Sequence, residues 1–115
     1  MIIEIDPELA EPLFEQIASA IRSAVARGDA KDGERLPAAK VLAEELDVNL
    51  HTVLRAYALL RDEGVLSVRP RRGAVVTGTG RNRARTREAA QRLVAEAKRQ
   101  GMAFAEVGQL VKELW

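Results

Sequence analysis

Nine arginines fall between positions 51 and 87, and no lysine accompanies them. That stretch holds only two acids and so carries a net charge of +7. Residues 1 to 50 carry five basic and eleven acidic side chains, and residues 88 to 115 carry four of each, so the whole-chain charge of +1 conceals a strong local field. A guanidinium presents its donors in a planar fork that matches a phosphate or the O6/N7 edge of guanine. A concentrated positive segment suits a polyanion; the alternative is a solvated basic surface. Other chemistries lack material. There is no cysteine, which excludes disulfides, thiolate metal sites and cysteine nucleophiles. The one histidine, His51, has no second imidazole with which to hold zinc. Glu44 and Glu45 have no partner histidine, and the Gly-Thr-Gly-Arg at 78 to 81 lacks the spacing and the Lys-Ser/Thr ending of a phosphate-binding loop. No catalytic residue, metal site or cofactor is expected, and the chain is not expected to be an enzyme.

The elements that must hold those arginines follow from periodicity. Phe14, Ile17, Ile21 and Val25 recur at three- and four-residue spacing behind Pro12, predicting a helix with one apolar stripe that Gly28 ends. Residues 2 to 5 read as a short strand or an extended lead-in. A second helix is predicted from Pro37 to Asp47, with Leu42, Ala43 and Leu46 facing inward. After a short turn a third runs from Leu50 to about Glu63. Asn49 is placed to cap it by accepting from the Thr52 N–H, and Val53, Ala56, Tyr57 and Leu60 share the inward face. Two β-branched runs, Leu66 to Val68 and Ala74 to Thr77, flank the tip Arg69-Pro70-Arg71-Arg72-Gly73 and read as a hairpin. Two more helices, Arg83 to Gln100 and Phe104 to Leu114, complete the chain. The fold class is therefore mostly α with a small β-wing. A winged helix-turn-helix DNA-binding domain is assigned to residues 1–77, a linker to 78–82 and a two-helix dimerisation appendage to 83–115.

The segment from Pro12 to Val76 resembles the DNA-binding domain of GntR-family transcription regulators throughout. The opening PLFEQIA, the GERLP before the second helix, the LAEELDV turn and the DEGVL leading into the wing fit in order and spacing. The short C-terminal part, with NLHTVLRAY in the third helix, resembles the YtrA-like subfamily. That likeness implies a small helical dimerisation unit, a repressor, and control of a neighbouring transporter operon. Two positions depart from the pattern: many members carry arginine where Leu50 and Leu54 stand here. The family's basic residue in the second helix is matched by Lys40.

The residues expected to meet double-stranded DNA are Lys40, Asn49, Leu50, His51, Thr52, Leu54, Arg55, Arg71, Arg72 and Gly73. Arg55, one position beyond Leu54, is the available substitute for the missing arginine pair. It either forks onto a guanine, worth roughly 1–3 kcal/mol of discrimination, or meets a phosphate or an acid of the second helix. His51 and Thr52 open the recognition helix, where they meet base edges or phosphates or stay in solvent. Asn49 divides its amide between capping and DNA, with capping favoured. Leu50 and Leu54 touch thymine methyls or are merely exposed. Lys40 should reach a phosphate. The resemblance sets Arg72 on the arginine of the family's Gly-Arg-Gly wing tip and Gly73 on its last glycine, for contact with the minor groove or backbone. The run Arg81, Arg83, Arg85, Arg87 opposes the positive end of its own helix and repels itself at four-residue spacing; the alternatives are an offsetting phosphate, or solvent, a neighbouring subunit's acids or a frayed linker.

Leu93, Val94, Val107, Leu110, Val111, Leu114 and Trp115 put more apolar surface on the last two helices than a free hairpin can cover. A second copy of the chain related by a two-fold axis is the simplest cover, and packing onto the winged domain is the other. The functional expectation is thus a sequence-specific regulator, a dimeric repressor reading a pseudo-palindromic operator. The alternative is a winged helix used as a protein-interaction module. The appendage is too small to enclose a ligand pocket of ~300 Å³, so any small-molecule effector would bind at the dimer interface or near the linker. No apolar run reaches the roughly 18 residues of a membrane span, and the acidic start lacks the form of a signal peptide. No membrane partner is expected, and a cytoplasmic protein is.

Overall fold

The computed structural model describes residues 1–115. Helix α1 (Leu13–Arg27) starts one residue after Pro12, whose ψ of 145° is still extended, and stops at Gly28, whose φ of 82° only glycine adopts readily. Its apolar stripe is sealed: Ile17, Ile21 and Val25 are fully buried, and Phe14 is half-buried at the edge. The lead-in before it forms no strand. It is extended and clasped by the buried Gln16, whose Oε1 accepts from the Asp6 N–H at 2.8 Å while its Nε2 donates to Asp6 O and Glu11 O. Ile3 and Ile5 thereby dock against the core.

Helix α2 (Ala39–Leu46) begins two residues later than Pro37. The chain ahead of it is still paired with the wing, because the Leu36 N–H donates to Ala74 O at 2.8 Å, and it must leave that pairing before it can coil. Asp47 takes a φ of 54°, a left-handed turn that a short polar side chain tolerates, and this swings the chain toward α3 (Leu50–Asp62). Val53, Ala56, Tyr57 and Leu60 are buried as their spacing predicted. The Tyr57 hydroxyl donates to Pro37 O at 2.7 Å, and burial, aided by the Glu45 carboxylate, pushes its phenol up to about 12.

The wing is an antiparallel pair, β1 (Leu66–Arg69) and β2 (Gly73–Val76), registered Leu66 opposite Val76 and Arg69 opposite Gly73. Residues 33 to 36 run along the outer edge of β2, with Gly33 N–H on Val76 O, Val76 N–H on Glu34 O and an isolated bridge between Arg35 and Val75. Arg22, buried in α1, forks onto Glu63 at the end of α3 through Nε–Oε1 and Nη2–Oε2, both 2.8 Å. That pair ties the first helix to the point where the chain turns into the wing.

Helix α4 (Gly80–Arg99) starts three residues before the position that periodicity indicated, so residues 80–82 of the expected linker form its first turn. Only glycine fits there: a Cβ on Gly80 would lie 2.8 Å from the Val65 carbonyl oxygen. Ala84, one turn on, is fully buried in the same core. Two compact units result, Met1–Arg85 and Thr86–Trp115. The second contains the rest of α4 and α5 (Phe104–Leu114). Gly101, at φ 72°, turns the chain between them, and Glu106 accepts the Ala103 N–H at 3.0 Å at the start of α5. Ala97 is its one buried hydrophobic, and α5 buries no residue.

Candidate nucleic-acid interface

The turn from Asp47 to Asn49 leaves the leading edge of α3 open. Asn49, Leu50, His51, Leu54 and Arg55 are all exposed and Thr52 is half-buried. Leucines 40% and 43% accessible at positions 50 and 54 stand out on a helix whose other face is sealed. Asn49 caps the helix, but its Oδ1 accepts from the His51 N–H at 2.8 Å rather than from Thr52, whose N–H goes to the backbone oxygen of Asn49 at 3.0 Å. The cap geometry brings the second residue after Asn49 nearest its side chain, while the i to i+3 backbone turn occupies the third. The amide NH2 of Asn49 has no partner within the chain.

Arg55 pairs with no acid of α2. Its guanidinium lies 3.8 Å from the centroid of the Phe14 ring, stacked on the exposed rim of α1. Such a contact is worth about 0.5–1 kcal/mol where water has access. Stacking uses the face of the guanidinium and leaves its in-plane donors available. Sequence spacing marks Phe14 only as a core residue; nothing in the pattern signals that its ring also carries the arginine of another helix.

Lys40 is exposed in the first turn of α2, where the positive end of the helix dipole offers it no stabilisation. At the wing, Arg71 and Arg72 are exposed on the tip. Arg71 adopts a φ of 70° and Gly73 one of 71°, so two left-handed residues make the reversal and one of them is not glycine. Arg71 stands where the first glycine of a Gly-Arg-Gly tip would be, which accounts for its conformation. The Arg71 carbonyl accepts from Arg35 Nη2 at 3.2 Å. Arg35 belongs to the connector before α2, and its part in the wing depends on pairing across 36 residues that local patterns do not encode.

Two members of the arginine run lie over the ends of other helices. Arg81 Nε donates to Ala26 O at 3.4 Å and its guanidinium lies over Gly28, at the carbonyl end of α1. Arg83 lies over Gly64 at the carbonyl end of α3, with its Nε on Thr79 Oγ1 at 3.3 Å. Each places positive charge where a helix dipole is negative, offsetting the unfavourable position at the start of α4. Arg85 is exposed, and Arg87 interacts within the chain. No group of three or more His, Cys, Asp or Glu side chains is arranged to hold a metal ion, and no helix is long and apolar enough to cross a membrane.

Helix, tight turn, a helix with an open leading edge, and a hairpin tipped with arginine define a winged helix-turn-helix DNA-binding protein. The description "Bacterial regulatory proteins, gntR family" matches residues 13–76. The chain belongs to the GntR family and is a DNA-binding transcription regulator. It is similar to the HTH-type transcriptional repressor YtrA of Bacillus subtilis, 26% identical over 98% of this chain and 92% of the relative. It is also similar to the regulator Rv1152 of Mycobacterium tuberculosis, 30% identical over 87% of this chain and 83% of that one. Among solved structures, YtrA from Sulfolobus acidocaldarius superposes with a TM-score of 0.64 at 33% identity, covering 97% of this chain and 95% of that one. Similarity along nearly the full length includes the short C-terminal region, not the winged portion alone.

Proposed function

We propose that the chain is a homodimeric repressor that reads a pseudo-palindromic operator. The supporting observation is the exposure of Leu50, His51, Leu54 and Arg55 along one edge of a helix whose opposite edge is fully buried. In this reading α3 lies in the major groove. Arg55 reads a guanine edge, Leu50 and Leu54 meet thymine methyls, and Asn49, His51 and Thr52 bond base edges or phosphates. Lys40 and Arg72 fix the register on the backbone, while Arg71 and Gly73 shape the wing tip for the minor groove. Residues 1–77 act as the DNA-binding part and 83–115 as the dimerisation part.

The dimer rests on α5. Leu110, Val111, Leu114 and Trp115 are exposed, the last two at 79% and 102%, beside Val94 of α4 and with Leu93 and Val107 half-covered. At roughly 25 cal/mol per Å² of apolar surface, leaving that face wet is costly, and a second copy covers it. A two-fold dimer reads half-sites spaced by about one helical turn or a multiple of it. Repression, rather than activation, is supported by the relative from Bacillus subtilis, which is named a transcriptional repressor. The regulator acts in the cytoplasm, where its DNA is, and performs no chemical reaction.

Selection of bound duplexes from a random pool tests the reading. A two-fold symmetric consensus is expected. Arg55→Ala should relax preference at one base pair per half-site; a uniform loss over all sequences would reassign Arg55 to a phosphate. Sedimentation of Leu110→Glu should give a monomer that no longer selects a symmetric site.

A further inference from the structure

We propose that Phe14 is a positioning residue for base recognition. Its ring fixes the plane of the Arg55 guanidinium, so that a residue of α1 sets how sharply α3 discriminates one base pair without touching that pair. The proposal deepens the reading in which Arg55 forks onto a guanine, and it rests on that reading.

Arg55 is the only arginine among residues 49 to 55, so the open edge of α3 holds a single guanidinium there. A free arginine side chain spreads over many rotamers, and a fork onto the O6/N7 edge demands very few of them. The ring of Phe14 makes that selection before DNA arrives. The guanidinium carbon lies 3.8 Å from the ring centroid, well inside the distance at which an aromatic face attracts a cation. An aromatic partner differs from an acid in what it consumes. A carboxylate would bond the in-plane N–H groups, the same donors that a guanine needs, and would have to be released on binding. The ring takes the flat face alone and leaves those donors unspent.

The platform is itself held in place. Phe14 is the second residue of α1 and packs at the edge of the core that Ile17 and Ile21 fill. The start of that helix is fixed by Gln16, which bonds to Asp6 and Glu11 of the lead-in. A ring half-buried against a close-packed core is far more rigid than an exposed arginine. Its place also differs from that of a residue serving the core alone. Ile17, Ile21 and Val25 of the same stripe are completely sealed, whereas Phe14 keeps a rim at the surface, where Arg55 meets it.

The test uses the full chain as wild type, Phe14→Leu, Phe14→Tyr, Arg55→Ala and Phe14→Leu/Arg55→Ala, each checked for folding by its thermal transition. In the free protein, the NMR signal of the Arg55 Nε–H reports whether the guanidinium stays over the ring. Ring current should move it upfield of the other exposed arginines in wild type and Phe14→Tyr, and it should return toward them in Phe14→Leu. Dissociation constants are then measured for the selected consensus duplex and for its single-base-pair variants. Arg55→Ala identifies the base pair that Arg55 reads. At that pair Phe14→Leu should lose about two- to five-fold of discrimination, the worth of an exposed contact of this kind. Discrimination at other positions and the slope of log K against log salt should stay at wild type, because no charge is lost. Phe14→Tyr should keep the discrimination, and the double variant should lose no more of it than Arg55→Ala alone. A Phe14 that only supports the core would weaken every duplex alike and add its loss to that of Arg55→Ala. That result, or an Arg55 signal without the upfield shift in wild type, would overturn the proposal even where Arg55→Ala is base-specific. Should Phe14→Leu not fold, the wild-type signal still decides the contact. A uniform loss in Arg55→Ala itself would instead refute base reading by Arg55, and the role of Phe14 in discrimination would fall with it.

Discussion

The pair between Arg22 and Glu63 offers the sharpest test of what holds the reading head together. Both side chains are almost fully enclosed, at 5% and 4% accessibility, and they share two hydrogen bonds of 2.8 Å. The ion pairs Arg27–Asp29, Arg61–Asp62 and Arg99–Glu96 are more than half exposed and worth little. Replacing Arg22 by Met keeps most of the volume but removes the guanidinium that forks onto the buried Glu63 carboxylate. Breaking a buried pair in this way costs about 3–5 kcal/mol, against a total stability of roughly 5–15 kcal/mol for a small domain. At roughly 4–8 °C per kcal/mol for a unit of this size, the melting temperature should fall by at least about 12 °C. Urea unfolding followed by circular dichroism gives the free energy, and Arg22→Met/Glu63→Leu completes a double-mutant cycle. The double variant should recover most of the loss, because two apolar groups of similar volume need no partner. A single-variant cost under about 1 kcal/mol, or a double variant no better than Arg22→Met, would refute the reasoning and assign the pair no more than the worth of a surface contact.

Three other outcomes follow from particular residues. Tyr57 is the only tyrosine, and its phenol is held up to about 12 against an ordinary value near 10. Below pH 10 both folded and unfolded chains keep the proton, so the contribution is intact; between pH 10 and 12 only the unfolded chain gives it up, and roughly 2–3 kcal/mol is lost. Tyr57→Phe should flatten that decline relative to wild type, and a phenolate absorbance that titrates near pH 10 in the folded protein would contradict it. Arg71→Gly should raise thermal stability by up to about 1 kcal/mol, since glycine adopts the φ of 70° without the Cβ conflict, while duplex binding weakens through the lost cation; equal or lower stability would mean that the tip is unstrained. Asn49→Ala removes the bond to the His51 N–H and should cost about 0.5–2 kcal/mol in urea unfolding, with Asn49→Asp close to wild type.

The fold was readable in the chain wherever a period repeats over several turns. The stripe through Ile17, Ile21 and Val25, the inward set Val53, Ala56, Tyr57 and Leu60, and the hairpin around an arginine-rich tip all depend on local spacing, and each lies where that spacing puts it. Boundaries moved where a long-range contact competes with local preference. Helix α2 is delayed because Leu36 is bonded to β2, and α4 starts early because Gly80 can approach the Val65 carbonyl closely enough to begin coiling there. Exposure of the recognition edge was legible for the same reason as the helix itself, since the polar or unpaired face is the complement of the stripe. The ring of Phe14 under Arg55, the Arg35 side chain at the wing and the arginines lying over the ends of α1 and α3 were not. Each joins residues of separate elements, with no periodic signature to announce it.

The strip formed by residues 33 to 36 has a further effect. An exposed hairpin carries two rows of free backbone donors and acceptors, and each invites another strand to pair with it. Along β2 that row is already filled by Gly33, Glu34 and Leu36. The remaining border belongs to β1, only four residues long, ending in Arg69 and followed by Pro70. A border so short, closed by a cation and a residue without an N–H, is a poor template for self-templated stacking between molecules. The hairpin can therefore stay uncovered in the free protein without recruiting other hairpins.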